Sequence, residues 1–156
     1  SFHSLSKRSN LPGLRSGFAA SGEKNIKQMK QLRAYSGAPI PEPLQHVSAS
    51  VWDDEDHVIQ NREIYKEKYK FADKIFDGFD GYLSPEAGFF LWLDVDNGEK
   101  TALELWQACG VRVLPGKYLA KDLNGQSPGD RFIRVAMVSE LEETKEGLKK
   151  IREFLD

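Results

Sequence analysis

The 156-residue chain is 40% hydrophobic and 29% charged, with a net charge of −2 and 11% aromatic residues. This length and hydrophobic share suit one domain with a sizeable core; near-balanced charge excludes a general nucleic-acid binder, and the aromatics exclude disorder. The single Cys109 makes no intrachain disulfide, so a reducing, cytoplasmic setting is expected; no apolar run approaches the ~20 residues of a membrane span, and the first residues form no signal peptide.

In chain order, residues 1–6 read as the end of a strand entering a turn. Asn10-Leu11-Pro12-Gly13 is dense turn chemistry. Residues 17–22, apolar and bounded by glycines, read as a short buried strand. A helix is predicted from about Glu23 to Ala34. The stretch from Tyr35 to Pro43 holds three prolines at alternate positions and reads as an extended linker. From Leu44 to about Phe76 the apolar spacing is helical, as one long helix or two with a joint near Trp52–Asp56. Residues 89–95 read as a strand and Thr101–Cys109 as a helix stopped by Gly110. Val111–Leu114 is a short strand, 122–130 a polar glycine-rich loop and Arg131–Val138 a third strand. Leu141–Leu155 is an amphipathic C-terminal helix. Strands with helices on one face make an α/β chain ending in a small α+β unit.

Lys7 is the first residue that could carry chemistry. A lysine amine forms a Schiff base with an aldehyde cofactor, most often pyridoxal phosphate; a solvated turn lysine is the alternative. Ser4, Ser6 and Arg15 lie close in sequence and supply the hydroxyl donors and planar cation that a phosphate needs. Gly13 and Gly17 are expected to let the backbone approach closely around Arg15. Alone, these residues read equally as a serine-rich turn with a surface arginine. Arg134 lies in an apolar strand, on the face shared with Phe132, Ala136 and Val138, and reads as buried. A buried arginine requires an anionic partner. A substrate carboxylate would supply one bidentately; a structural Asp or Glu would serve as well. His3, His46 and His57 are scattered and form no metal spacing, so no metal is expected.

Ser-Leu-Ser-Lys-Arg-Ser-Asn-Leu-Pro-Gly-Leu-Arg-Ser-Gly-Phe, residues 4–18, resembles the cofactor-lysine signature of the class I/II aminotransferases, enzymes of fold type I. Residues 85–92, 110–116 and 131–136 resemble the family's small-domain blocks in the same order. The resemblance implies that Lys7 carries pyridoxal phosphate, that Ser4, Ser6 and Arg15 hold its phosphate, and that Arg134 grips the substrate carboxylate. It places Tyr35 in a loop that approaches a partner subunit's site, and Phe90 and Trp92 near the substrate, although a strand aromatic is otherwise plain core.

The same resemblance implies that residues 1–40 end a large cofactor domain, and that residues 41–156 form an interdomain helix and the C-terminal small domain. The chain opens on Ser1, almost upon Lys7, so a fragment of a longer protein is expected. The implied parent is a cytoplasmic, homodimeric transaminase acting on amino-acid and 2-oxo-acid substrates, with glutamate and 2-oxoglutarate as the donor pair. Residues 33–37 and 52–62 look most like the succinyldiaminopimelate aminotransferases of lysine biosynthesis. Aspartate and aromatic aminotransferases, a carbon–sulfur lyase and a catalytically inactive truncated module are the alternatives. The 156-residue chain alone is expected to be inactive.

Overall fold

The computed structural model describes residues 1–37 and 39–156. Ala38, part of the expected proline linker, lies outside the described residues. The chain forms two compact units, Ser1–Arg62 and Glu63–Asp156.

The first unit opens with an antiparallel ribbon of β1 (Phe2–Ser4) and β2 (Gly17–Ala19), in which Phe2 faces Ala19 and Ser4 faces Gly17. Between them lie α1 (Leu5–Arg8) and a 3-10 turn over Pro12–Leu14. The expected buried strand at residues 17–22 is corrected here. It is three residues long and exposed, with Phe18 at 46%. A two-stranded ribbon has no second layer to cover both faces. The Phe18 ring instead stacks on His3 at 5.0 Å and meets Trp52 edge-on at 4.9 Å.

Helix α2 (Glu23–Ser36) runs two residues past its expected end and takes in Tyr35. Helix α3 (Glu42–Asp53) starts inside the expected linker, since Pro43 fits the first turn, where no N–H is needed. Helix α4 (Asp56–Ile75) follows, so the joint falls at Asp54-Glu55, inside the predicted window. The Asp54 carboxylate accepts from the Asp56 N–H at 2.9 Å and so caps α4.

The second unit is a three-stranded antiparallel sheet backed by helices. Its strands are β3 (Phe90–Asp94), β4 (Leu114–Pro115) and β5 (Phe132–Ala136), with β5 central. The predicted strand at 111–114 shrinks to two residues at an edge, where Pro115 lacks the N–H that would extend the ladder. Helices α5 (Gly98–Cys109) and α6 (Leu141–Leu155) complete the unit.

Strand alternation divides the sheet. Leu91, Leu93, Ile133, Val135 and Met137 face the helices and pack with Ala72 of α4, Phe76 just past its end, Ala102 and Leu105 of α5, and Leu148 and Ile151 of α6. Each large apolar side chain buried there contributes about 1.5–3 kcal/mol. Phe90, Trp92, Phe132, Arg134 and Ala136 point to the other, open face. Among the described residues no helix is long and apolar enough to cross a membrane.

Candidate functional site

The first unit holds Ser4, Ser6, Lys7 and Arg15 in the excursion between β1 and β2. Residues 1–22 contain no Asp or Glu, whereas Lys7, Arg8 and Arg15 all lie there. The turn itself therefore carries only positive charge, of which Arg8 is paired with Glu55. Ser4 stands before α1, where its hydroxyl accepts from the Ser6 N–H at 3.2 Å and donates to the Ser16 carbonyl at 3.4 Å. The backbone N–H of Leu5 donates to the same carbonyl at 3.1 Å, closing the excursion at its base. Lys7 is exposed on the last turn of α1.

Arg15 adopts a left-handed backbone, φ 50°. Its guanidinium is exposed and donates through Nη1 to the Pro12 carbonyl at 2.8 Å. Most of its donors face away from that single bond. Gly17 fulfils its expected role, because an added Cβ would stand 2.4 Å from the His3 carbonyl oxygen. Gly13 does not, as open space surrounds its Cβ position.

Residues that the sequence did not single out hold this turn in place. Arg8 is half-buried, and its guanidinium donates to the Val51 carbonyl at 3.1 Å and the Trp52 carbonyl at 3.4 Å. It also pairs with Glu55 and lies 4.7 Å from the Trp52 ring centroid. These carbonyls are orphans at the end of α3, and an arginine there also suits the helix dipole. The buried hydroxyls of Ser16 and Ser48 lie 2.8 Å apart, and Ser48 Oγ is 2.6 Å from the Leu44 carbonyl. With one proton per hydroxyl, Ser48 donates to Leu44 and Ser16 donates to Ser48. Arg8 was visible only as the neighbour of Lys7. Nothing local to Ser16 or Ser48 signals their pairing.

Tyr35 is 86% exposed on the last turn of α2. It is in a helix, not the loop that the sequence suggested.

The second unit holds Arg134 and Phe90. The expected burial of Arg134 is corrected: it is half-buried on the open face. Its strand is apolar on both sides, which hid the difference, yet Val138 is 61% exposed. Arg134 stands opposite Trp92 on β3 and Leu114 on β4. Its guanidinium carbon lies 4.2 Å from the Phe90 ring centroid. The carboxylates at the other end of β3 engage Arg131, which pairs with Asp94 at 3.0 Å and Asp96 at 2.9 Å. The hydrogen bond from Arg131 holds the Asp94 carboxyl below its ordinary range. Arg134 is thus a cation beside aromatic rings, with no carboxylate partner among the described residues. Among those residues no group of His, Cys, Asp and Glu is placed to hold a metal ion.

Comparison with known proteins gives this arrangement a context. The chain is 28% identical over 138 residues to the 4-dedimethylamino-4-oxo-anhydrotetracycline transaminase OxyQ of Streptomyces rimosus, covering 88% of this chain and 37% of that protein. It is 26% identical to the LL-diaminopimelate aminotransferase of Dehalococcoides mccartyi, covering 98% of this chain and 39% of the relative. Among solved structures, an aminotransferase from Neisseria meningitidis superposes with a TM-score of 0.93 at 38% identity, over 99% of this chain and 40% of that one. The aminotransferase AspB of Helicobacter pylori gives 0.87 at 35% identity, over 98% and 39%. The chain thus spans well under half the length of these relatives, and its fold is that of the corresponding part of a fold-type-I aminotransferase. The family model described as "Aminotransferase class I and II" matches residues 1–151, which include Lys7 and Arg134, and the chain belongs to that family.

Proposed function

We propose that the parent of this chain is a pyridoxal-phosphate-dependent transaminase that moves an amino group between an amino acid such as glutamate and a 2-oxo acid. The observation that carries this reading is the family match running through the lysine motif at residues 4–18. The residues present fit the cofactor. A turn with no acidic residue of its own, Lys7, the Ser6 hydroxyl, the largely unengaged fork of Arg15 and a Ser4 hydroxyl whose donation to Ser16 is long, at 3.4 Å, make a donor set suited to a phosphate. Ser4, Ser6 and Arg15 would hold that phosphate, and Lys7 would bond the aldehyde carbon.

When bound, pyridoxal phosphate supplies an electron sink for the charge left by proton removal. Once the donor's amine takes its place on the aldehyde carbon, the freed Lys7 Nζ would act as base and then acid, taking a proton from the substrate α-carbon and returning one. Arg134 binds the substrate carboxylate through the edge of its guanidinium. The absence of a carboxylate partner among the described residues supports that role, since a half-buried cation gains most from an anion with matching geometry. Tyr35, on an exposed helix end, is assigned to contact with the partner subunit of a homodimer.

Residues 1–40 are assigned to the end of the large cofactor domain and 41–156 to the linking helix and small domain. Cytoplasmic amino-acid biosynthesis is the setting proposed, with succinyldiaminopimelate as the candidate substrate class. Similarity to a protein named as an LL-diaminopimelate aminotransferase supports a substrate of the diaminopimelate type. The 156-residue chain is proposed to be inactive by itself.

Lys7→Ala in the full-length parent should abolish the visible absorption of bound cofactor together with transamination. Full activity in that variant would sink the assignment. Transamination by the purified 156-residue chain would overturn its proposed inactivity. A second reading rests on the 31% identity, over 165 residues, to 1-aminocyclopropane-1-carboxylate synthase 6 of Arabidopsis thaliana, which is named as a synthase. Product analysis of the full-length enzyme with candidate amino acids, with and without a 2-oxo acid, separates elimination or lyase chemistry from amino transfer.

A further inference from the structure

We propose that Phe90 is a positioning residue for Arg134: its ring holds the guanidinium plane so that the edge of the fork is presented to a substrate carboxylate. This rests on the reading of Arg134 as the carboxylate grip, and gives Phe90 a role exerted through that arginine.

The two side chains share the open face of neighbouring strands, one diagonal step apart. Arg134 stands directly opposite Trp92, and Phe90 opposite Ala136. Diagonal neighbours on an antiparallel pair are within reach of aromatic and long side chains. Trp92 stacks on Phe132, with centroids 5.4 Å apart and planes inclined by 22°. Arg134 instead lies over Phe90 at 4.2 Å. The four side chains therefore sort into two pairs, and the ring that carries the cation is not the one across from it. Ala136, opposite Phe90, is small and leaves the ring room on that side.

Phe90 is itself braced. The Phe89 ring lies 4.2 Å from it at 45°, and Phe89 in turn lies 6.4 Å from Tyr65 on α4. A braced ring can fix what rests upon it.

The chemistry of the two contacts is compatible in one geometry. A ring attracts a guanidinium through the face of the cation. A carboxylate uses the N–H groups along its edge, two at a time. With its face turned to the ring, the arginine can therefore accept a carboxylate without releasing Phe90. Its rotamers are also restricted before substrate arrives, so less freedom is lost on binding. A flexible arginine in the same strand would begin from many orientations.

The test uses the full-length holoenzyme, with glutarate as a non-reacting carboxylate probe titrated by calorimetry beside steady-state kinetics. Phe90→Leu should raise the glutarate Kd and the KM for the amino donor about fivefold, the change expected from ~1 kcal/mol of lost cation–π attraction, while kcat holds. A ring-fluorinated phenylalanine at position 90 keeps the volume and weakens the attraction, so it should move both constants the same way by less. Phe90→Tyr should bind glutarate as wild type does. Trp106→Leu cuts the Arg112–Trp106 contact of 4.1 Å, the same chemistry on α5, and should alter neither constant. Wild-type glutarate affinity in the fluorinated protein overturns the positioning role, even if Phe90→Leu fails to fold. Arg134→Lys separates the two levels. If it binds glutarate as wild type does, the carboxylate grip itself is refuted. If it weakens binding while the Phe90 variants do not, only the role of Phe90 falls.

Discussion

The two units hold their candidate site cations, Lys7 and Arg134, by opposite means. Among the described residues the first unit buries two apolar side chains, Leu5 and Val58, and the second buries eleven. In the second unit Arg134 faces outward because Ile133 and Val135 on either side of it are driven inward. Its placement follows from an apolar core through simple strand alternation. In the first unit the turn around Lys7 is placed by polar links: Arg8 on the α3 carbonyls, Ser16 on Ser48, and Ser4 on the start of α1. Burial tolerates small shifts, whereas a hydrogen-bond frame demands particular groups at particular distances. The second unit should therefore respond most to lost volume, and the first to lost or obstructed polar geometry.

Leu93→Ala probes the apolar side of this contrast and should have the largest effect. Leu93 is fully buried between the sheet and the helices, and its truncation should cost roughly 3 kcal/mol. Urea unfolding followed by Trp92 and Trp106 emission measures it. A cost below ~1 kcal/mol would mean that the core is not what holds this unit.

Gly17→Ala is the counterpart in the first unit. The new Cβ would meet the His3 carbonyl oxygen at 2.4 Å, so the ribbon must part, at about 2 kcal/mol. Gly13→Ala, with open space at that position, should instead be neutral or stabilise by about 0.5 kcal/mol. Hydrogen exchange at the β1 and β2 amides distinguishes the two. Equal protection in both variants would show that the frame is softer than its geometry implies.

Lys68 sharpens the comparison because it is a polar anchor inside the apolar unit. It is 4% exposed, and its ammonium donates to the Met137 carbonyl at 2.8 Å and also to that of Ser139. Burial lowers its pKa from 10.5, against a smaller opposing effect of Glu140. Between that lowered pKa and 10.5 the unfolded chain binds more protons than the folded one, so stability rises with pH through this window. Lys68→Met should cost about 2 kcal/mol by leaving both carbonyls without their donor, and should remove the alkaline rise. Urea midpoints from neutral pH to about pH 10 test both. An unchanged slope in the variant would assign the rise to another group.

What the sequence made legible follows the same division. The α6 span Leu141–Leu155 and the joint between α3 and α4 agree with expectation, because apolar periodicity is a local property of the chain. The burial of Gly17–Ala19 and of Arg134 was misjudged. Apolar neighbours reveal a strand but not which face another layer covers, and Phe132, Ala136 and Val138 are apolar residues on the uncovered side. The short edge strand at Leu114–Pro115 depended on a partner distant in sequence. The lysine motif stood out through its resemblance to a family signature, which lies within one short stretch of the chain. Its supports did not, since Arg8 reaches carbonyls 43 and 44 residues away, and no local pattern encodes such a bond.

Arg8 gives the smallest effect and the closest test of the polar frame. Arg8→Ala removes the donors to the Val51 and Trp52 carbonyls, the pairing with Glu55 and the stacking on Trp52. Water can reach part of this end of α3, since the Glu55 side chain is 61% exposed, so the loss should be about 1 kcal/mol rather than that of a fully buried network. Arg8→Lys keeps the charge but not the fork. If charge alone stabilised the end of α3, Lys would restore the whole loss and added salt would erase the difference from wild type. If the fork matters, Lys should recover less than half, and the remainder should persist in high salt. Hydrogen exchange in the last turn of α3 and Trp52 emission report the outcome at the helix end itself. Full rescue by lysine would reduce this anchor to a simple helix–charge interaction and remove the strongest reason for treating the first unit as geometrically specified.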